Sequence, residues 1–445
     1  MVSVIDATDL TDPSLPAGDR DGMQVRIHRG AREIGGSCVE VASGGSRIVL
    51  DVGKPLWAGW DEFVPLPEVP GLADGSDTGL AGVVISHPHL DHFGLIDQVH
   101  PKVPIVIGAE AQRMLAEAEF FSQAGAVIDA DQFLADRVPV RLGAFTVTPF
   151  LADHSGYDSY SLLVEAGGRR LFYTGDFRGH GRKARLFDKL LAHPPAGIDV
   201  LLCEGTHVHP SGAADAAAAP VTHAARSEAD VEESLTARMA DTAGAVAVIS
   251  SAQNIDRLVS VYRACRRAGR ILVCDLYTAS VVCAIGRATL PQPGFDGLRV
   301  YVPIAQRVRV KRSGQFDRMN LIRACRVFPE WLVEHAEKIT LLQPQSAVAE
   351  LEHAGVLAGG TVVWSLWPGY LEDAGGKRFQ AGLAEAGVPF DVDHASGHAS
   401  VRDLQRFAAA LSPGVVVPIH TEGAHAYEGL FDRVAPHEDG EWWEV

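Results

Sequence analysis

The stretch Ser86-His87-Pro88-His89-Leu90-Asp91-His92 packs three imidazoles and a carboxylate into six residues, directly behind the apolar run Ala81-Gly82-Val83-Val84-Ile85. A short apolar run that ends in clustered polar ligands reads as a buried strand with a metal site hung on its end. Neutral imidazole and carboxylate are borderline to hard ligands, and their alternation lets one loop direct side chains at two neighbouring ions. A plain surface loop gives no reason to gather three histidines around one aspartate at a strand mouth.

A di-metal centre takes about six to eight protein ligands, and this loop supplies part of that set. The others are expected at further strand ends. His154, in Leu151-Ala152-Asp153-His154-Ser155-Gly156, follows an apolar run ending at Phe150. Asp176, in Tyr173-Thr174-Gly175-Asp176-Phe177, follows one ending at Thr174, and His420 closes Val415-Val416-Val417-Pro418-Ile419. A carboxylate can bridge two ions with its two oxygens, which makes Asp176 the natural shared ligand. Asp153 and Ser155, flanking His154, read as groups that orient it.

The chain has 445 residues, a formal charge of −17, 47% hydrophobic residues and 45 glycines. That length exceeds what one core serves, so two lobes are expected. The acidic balance opposes a protein that coats nucleic acid electrostatically, and a polyanion must be met locally. Arg307-Val308-Arg309-Val310-Lys311-Arg312 reads as a strand with Arg307, Arg309 and Lys311 on one face. Arg263, Arg266, Arg267 and Arg270 form a second basic group, and both groups read most simply as solvated faces. No run approaches the roughly 18 apolar residues of a membrane span, and Met1 to Asp21 is acidic and broken by prolines where a signal peptide is basic and then apolar. No membrane partner and a cytoplasmic location are expected. The six cysteines, without CxxC spacing, read as reduced core residues.

Residues 1–20 read as a loose leader. Residues 21–210 alternate short strands with helices, among them a strand over residues 47–52 and a helix over 109–121. Residues 211–380 open with an alanine-rich connector, Ala213 to Ala219, and continue into a helix near Glu228 to Met239. A strand-helix-strand unit over residues 245–274 and a strand at Thr361 to Trp364 then predict a small parallel sheet with its own core. Residues 381–445 bring back the polar signature of the first part in His394-Ala395-Ser396-Gly397-His398 and His420, so the middle unit reads as inserted. Trp364, Trp367 and Tyr370 read as packing residues before base-stacking ones. His207 and His209 read as surface or cleft-lining.

The order of these motifs resembles the metallo-β-lactamase superfamily, and the inserted unit narrows the resemblance to its β-CASP branch, with ribonuclease J and its relatives most similar. The resemblance implies an α/β fold: an αββα sandwich interrupted by a β-CASP domain built on a small parallel α/β sheet. It implies one ion on His87, His89 and His154, a second on Asp91, His92 and His420, and Asp176 bridging. Zinc suits the ligand set, and manganese is compatible with its nitrogen and oxygen donors. The branch's later marks are matched by Glu204 in Leu202-Cys203-Glu204-Gly205-Thr206, by His398 in Ser396-Gly397-His398-Ala399, and by His420, whose imidazole is the residue type found in RNA-acting members. The chain differs in ending at Val445, where many ribonuclease J proteins carry a further domain. It also differs in Ser250-Ser251-Ala252-Gln253-Asn254, set against a glycine-bearing Ser-Gln-Gly loop that helps seat a phosphate.

These readings converge on a metal-dependent phosphodiesterase acting on single-stranded RNA, whether from an end or internally. A water shared by the ions attacks the phosphorus, and a departing ribose oxygen calls for an acid on the far side. His398 is that acid, Glu204 holds its proton on the ring, and Asp91 completes the catalytic set while ligating metal. His394, Ser396, Gly397 and Ser400, before a helical stretch at Val401 to Leu411, are expected to seat a substrate phosphate at the helix N-terminus with Ser251 and Gln253. A DNA nuclease or small-ester hydrolase on the same metal lobe is the alternative enzyme, and a non-catalytic RNA-binding subunit the alternative outside enzymes. An oligomer is compatible with the sequence and not indicated by it.

Overall fold

Along the strand Ser46–Leu50, Ile48 and Leu50 face one core while Val49 faces another, and this period-two alternation builds the layers. The computed structural model describes residues 22–59, 61–210 and 226–445. The leader over residues 1–20 and the connector Ala213 to Ala219 lie outside the described residues. In chain order the metal-lobe strands are β1 (Gln24–Arg29), β2 (Cys38–Ser43), β3 (Ser46–Leu50), β4 (Leu80–Val84), β5 (Ile105–Gly108), β6 (Gln132–Leu134), β7 (Val140–Leu142), β8 (Phe145–Leu151), β9 (Tyr160–Ala166), β10 (Arg169–Tyr173) and β11 (Val200–Glu204). The inserted lobe supplies β12 (Val246–Ile249), β13 (Ile271–Asp275), β14 (Leu298–Tyr301), β15 (Arg326–Val327), β16 (Ile339–Gln343), β17 (Thr361–Trp364) and β18 (Phe390–Val392), and the chain then returns through β19 (Val415–Ile419) and β20 (Trp442–Glu444).

One sheet runs β20-β1-β2-β3-β4-β5-β6 and a second β19-β11-β10-β9-β8-β7. Their inner faces share a core that includes Val41, Ile48 and Val84 from the first and Leu162, Leu171 and Val417 from the second. The outer faces carry helices: Ala109–Phe121 packs Ala111 and Leu115 over Val49, Val83 and Ile107, and Val401–Leu411 packs Leu404 and Phe407 over Phe172 and Leu201. The result is the αββα order that the resemblance implies.

The third sheet, β15-β14-β13-β16-β12-β17-β18, is parallel throughout. It is covered on both faces, with Val246 and Val248 in one core and Ala247 and Ile249 in the other, as parallel sheets require. The insertion leaves after β11, and the chain is back on the metal lobe in the helix Val401–Leu411 before it enters β19, the parallel neighbour of β11 with Glu204 opposite Ile419. However large the insertion, its two ends therefore stay together.

Two sequence readings need correction. The division at 380/381 cuts the helix Ala374–Glu385, whose Phe379 and Leu383 pack in the inserted core, and β18 pairs in parallel with β17. The inserted lobe thus runs through Val392, because an apolar stripe outweighs the shift in composition. The basic run is not a strand but part of the helix Ile304–Ser313, stopped by Gly314 in the left-handed conformation. Its Arg, Lys and Gln side chains favour helix over a two-valine alternation. Arg307 pairs with Glu350 at 3.3 Å, and Arg309 donates to the Phe120 carbonyl. In the second group Arg270 is buried against the carbonyls of Met239, Gly244 and Ile339, while Arg266 and Arg267 pair with Asp296 and Glu232. The six cysteines are all free thiols, as expected.

A buried ionic seam joins the lobes. Glu228, at the start of the helix Glu228–Asp241, receives Arg257 through both carboxylate oxygens at 3.2 and 2.9 Å, and Arg178 lies 3.6 Å away. Arg178, two residues past Asp176, also donates to Asp256 at 2.6 Å and to the Ser396 carbonyl at 2.7 Å. Removing one partner of a buried ion pair leaves a charge without compensation. Glu228→Gln should destabilise the protein by about 3–5 kcal/mol in urea denaturation followed by tryptophan fluorescence. A loss under about 1 kcal/mol would show that the seam carries little stability.

Candidate metal centre

Strands β3, β4, β8, β10, β11 and β19 all deliver their carboxyl ends to one edge of the sandwich. Asp51, the loop Ser86 to His92, His154, Asp176, Glu204 and His420 stand there in turn. One group comprises His87, His89, His154 and Asp176 and a second Asp91, His92, Asp176 and His420, each with ligand atoms within 4.8 Å of one another. Those are the two sets expected from the sequence, with Asp176 common to both. His87 Nε2, His92 Nε2 and both Asp176 oxygens are buried and have no hydrogen-bond partner among the described residues. Converging lone pairs left unsatisfied in a buried site fit a divalent cation, since such groups otherwise carry a large desolvation cost. A third group, Asp176, Glu204, His398 and His420, adjoins the same carboxylate.

The nitrogens that do not face the cluster are held from behind. His92 Nδ1–H donates to Asp51 Oδ2 at 2.8 Å, which leaves Nε2 as the ligand atom. Asp51 also accepts from the Ser86 backbone N–H, the Ser86 hydroxyl and the Tyr173 hydroxyl, each at 2.7 Å. His154 Nδ1–H donates to the Gly397 carbonyl at 2.6 Å. A Cβ on Gly397 would lie 2.5 Å from Ser155 Oγ, so glycine permits this approach. Thr206 Oγ1 stands between His398 Nδ1 at 3.1 Å and His420 Nδ1 at 3.0 Å. His420 adopts φ +53, a left-handed backbone for a non-glycine residue at a strand end, and its Nε2 lies 3.1 Å from Asp91 Oδ2.

Burial keeps His87 and His154 well below the ordinary imidazole range and lowers His89 to about 4, so these rings are neutral, as ligands must be. Burial acts to raise the Asp176 carboxyl, but the imidazoles of His420 and His92 hold it well below its usual range. Burial likewise opposes charge on His92, yet Asp176 and Asp51 push that ring well above its ordinary value. A cation at Nε2 would displace this proton.

Asp51 and Thr206 were missed in the sequence. Asp51 follows β3 as Asp176 follows β10, and reading the strand through residue 52 hid the same signal; Thr206 left no signal. Other expected residues turn inward. Ser400 caps the helix Val401–Leu411 by accepting from the Asp403 N–H. Ser396 Oγ accepts from the His398 N–H and lies 3.1 Å from His207 Nε2. His394 Nδ1 lies 3.4 Å from the Ser365 carbonyl, and burial lowers its ring to about 3. Gln253 donates to the Ala124 carbonyl and the Tyr277 hydroxyl, and Ser251 lines a cavity of about 170 Å³ with Asp275 and Gln343. Ser400, Ser396 and Gln253 thus each make hydrogen bonds within the protein. His207 lines the cleft, its Nδ1 3.1 Å from the Ala399 carbonyl.

Residues 57–249 match the family model described as beta-lactamase superfamily domain, and residues 390–428 the model described as Zn-dependent metallo-hydrolase RNA specificity domain. Ribonuclease J of Sinorhizobium meliloti is 24% identical over 388 residues, covering 81% of this chain and 61% of the relative. Ribonuclease J of Mycobacterium tuberculosis H37Rv is 24% identical over 430 residues, covering 90% of this chain and 69% of the relative. A protein of unknown function from Enterococcus faecalis V583 has a solved structure that matches with a TM-score of 0.76 at 21% identity, over 95% of this chain and 100% of that one. That likeness shows the fold.

Because Asp51 fixes the His92 tautomer, Asp51→Asn should weaken zinc binding about 10–100-fold while leaving the far-UV spectrum unchanged. Competition with a chromophoric chelator measures this, and parental affinity would exclude Asp51 from supporting the metal.

Proposed function

We propose that this chain, which belongs to the metallo-β-lactamase superfamily and is ribonuclease J-like within its β-CASP branch, hydrolyses phosphodiester bonds of single-stranded RNA. The observation that carries the reading is an imidazole, His398, that stands beside the metal cluster with the buried carboxylate of Glu204 behind it. The match of residues 390–428 to an RNA specificity domain, a segment holding both His398 and His420, supports RNA as the polymer.

Two divalent ions sharing Asp176, when bound, would acidify a water and offset the charge of the phosphodiester. Zinc suits the donors, and manganese is compatible with them. His398 Nδ1 lies 3.4 Å from Glu204 Oε2 and 3.1 Å from Thr206 Oγ1, which leaves Nε2 for the departing ribose oxygen. Burial opposes charge on this ring, but the Glu204 and Asp176 carboxylates outweigh it and raise the imidazole to about 9. Without metal the ring is therefore protonated at neutral pH. Its loop is held carbonyl by carbonyl: Ser396 O receives Arg178 at 2.7 Å, Gly397 O receives His154 at 2.6 Å, and Ala399 O lies 3.1 Å from His207 Nδ1. Such fixation keeps the acid at one distance from the cluster, which proton transfer to a leaving group demands.

His398→Ala should lower kcat on an end-labelled oligoribonucleotide by about 100-fold or more with metal content at the parental level. Cleavage at the parental rate would remove His398 from the acid role, and activity confined to a small activated diester, with neither RNA nor matching DNA cut, would overturn the RNA reading. An acid works only while protonated, so the rate falls as pH rises through its pKa. Glu204→Gln removes a carboxylate that raises that pKa, and the alkaline limb of the kcat profile should move to lower pH by about 1–3 units. An unmoved limb would assign it to another group.

A further inference from the structure

The inserted lobe presents two large aromatic side chains that its core does not use. Trp364, at the end of β17, is buried and packs 5.7 Å from Phe379, as the sequence suggested. Trp367 and Tyr370 depart from that reading: they are 61% and 53% exposed. Exposed aromatics of this size need a reason when they are also held in place.

They are held in place. Trp364 Nε1–H donates to the Trp367 carbonyl at 3.3 Å, and Pro368–Leu371 form one tight helical turn. A Cβ on Gly369 would lie 2.2–2.4 Å from the six-membered part of the Trp367 indole, so the ring rests against bare backbone at the one residue that allows it. The Trp367 and Tyr370 rings meet edge to face, with centroids 5.3 Å apart and planes at 89°.

Their position is at the rim of the metal centre. Two residues before Trp367, the Ser365 carbonyl is fixed by Arg257 at 2.6 Å and lies 3.4 Å from His394, at the start of the loop that bears His398. Partial burial and the nearby Asp91 carboxylate raise the Tyr370 hydroxyl. From the other lobe Leu56, 61% exposed, closes on Gly35 beside Asp91: a Cβ there would meet Leu56 Cγ at 2.7 Å and Asp91 Cβ at 3.0 Å. Leu56 thus sets an exposed apolar group of the metal lobe beside the ligand Asp91.

Charge complementarity selects the occupant's mode of attachment. At a net charge of −17, with Arg266, Arg267 and Arg307 in ion pairs and Arg270 on backbone carbonyls, this chain offers a polyanionic backbone little net attraction. Every base has an apolar face, and stacking on an aromatic ring tolerates any sequence. We propose that Trp367, braced by Tyr370, is a stacking platform for one unpaired base of the strand whose phosphodiester lies at the metal centre. This inference rests on the nucleic-acid reading of the same site.

The test uses the full-length, metal-loaded protein and an unstructured oligoribonucleotide in which single residues are made abasic in turn. One abasic position should raise the parental KM about tenfold. Trp367→Ala should raise KM about tenfold on the intact strand and show no further loss at that abasic position, with Trp367→Phe recovering part of the deficit. A parental KM for Trp367→Ala, or an equal additional penalty on the abasic strand, would overturn the platform. Fluorescence anisotropy of labelled intact and abasic strands separates this outcome from failure of the nuclease reading. If nothing is cleaved, a preference for the intact strand that Trp367→Ala abolishes still supports the platform, and equal binding of both strands by the parent overturns it.

Discussion

A buried carboxylate with no hydrogen bond is the constraint around which this molecule is organised. Asp176 is 2% exposed, and neither oxygen has a partner among the described residues. Such a group is costly unless cations or proton-bearing imidazoles surround it. Five histidines and a second aspartate complete the two ligand groups around it, and each group needs a strand end to bring its ligands within reach. The six carboxyl-end strands that share one edge of the sandwich meet that demand. Asp176 adjoins the third group as well, which sets Glu204 and His398 directly beside the two ligand groups.

The insertion follows from the same geometry. β11 and β19 pair in parallel, so Glu204 and His420 stand together whatever lies between them in sequence. A lobe inserted there gains direct access to the cluster and takes part in holding it. Arg178 leaves the Asp176 loop, enters the seam with Glu228 and Asp256 of the inserted lobe, and returns a hydrogen bond to the Ser396 carbonyl. The loop that bears His398 is thereby positioned by both lobes at once. A rotation of one lobe against the other would have to break buried charge pairs before it displaced His398.

Most of this was legible in the sequence because strand ends announce themselves. An apolar run followed closely by His or Asp gave His87 to His92, His154, Asp176 and His420, and their order in the chain carried the family resemblance that implied the sandwich. The signal failed where it was blurred. Asp51 sits in the same kind of position, but Val52 after it extends the apolar run and conceals the boundary. Local patterns also misled where longer-range packing decided the outcome: the alternating Arg-Val run is a helix, and the helix Ala374–Glu385 belongs to the inserted core despite the polar composition nearby. Thr206 was invisible, because its role depends on two histidines about two hundred residues downstream.

The loop before the helix Val401–Leu411 uses several of its polar groups to hold itself in place. Small polar residues before a helix look like an anion cradle, but their donors and acceptors are also what a loop needs when it must hold a side chain rigidly. Ser400 and Ser396 bond inside the loop, and the loop's carbonyls are held by Arg178, His154 and His207. A loop so committed holds His398 rigidly. Against a net charge of −17, the attachment of a polymer gains from surfaces that need no charge. On this chain the exposed, braced aromatics of the inserted lobe are such a surface, which sets stacking beside the rigidity of the His398 loop.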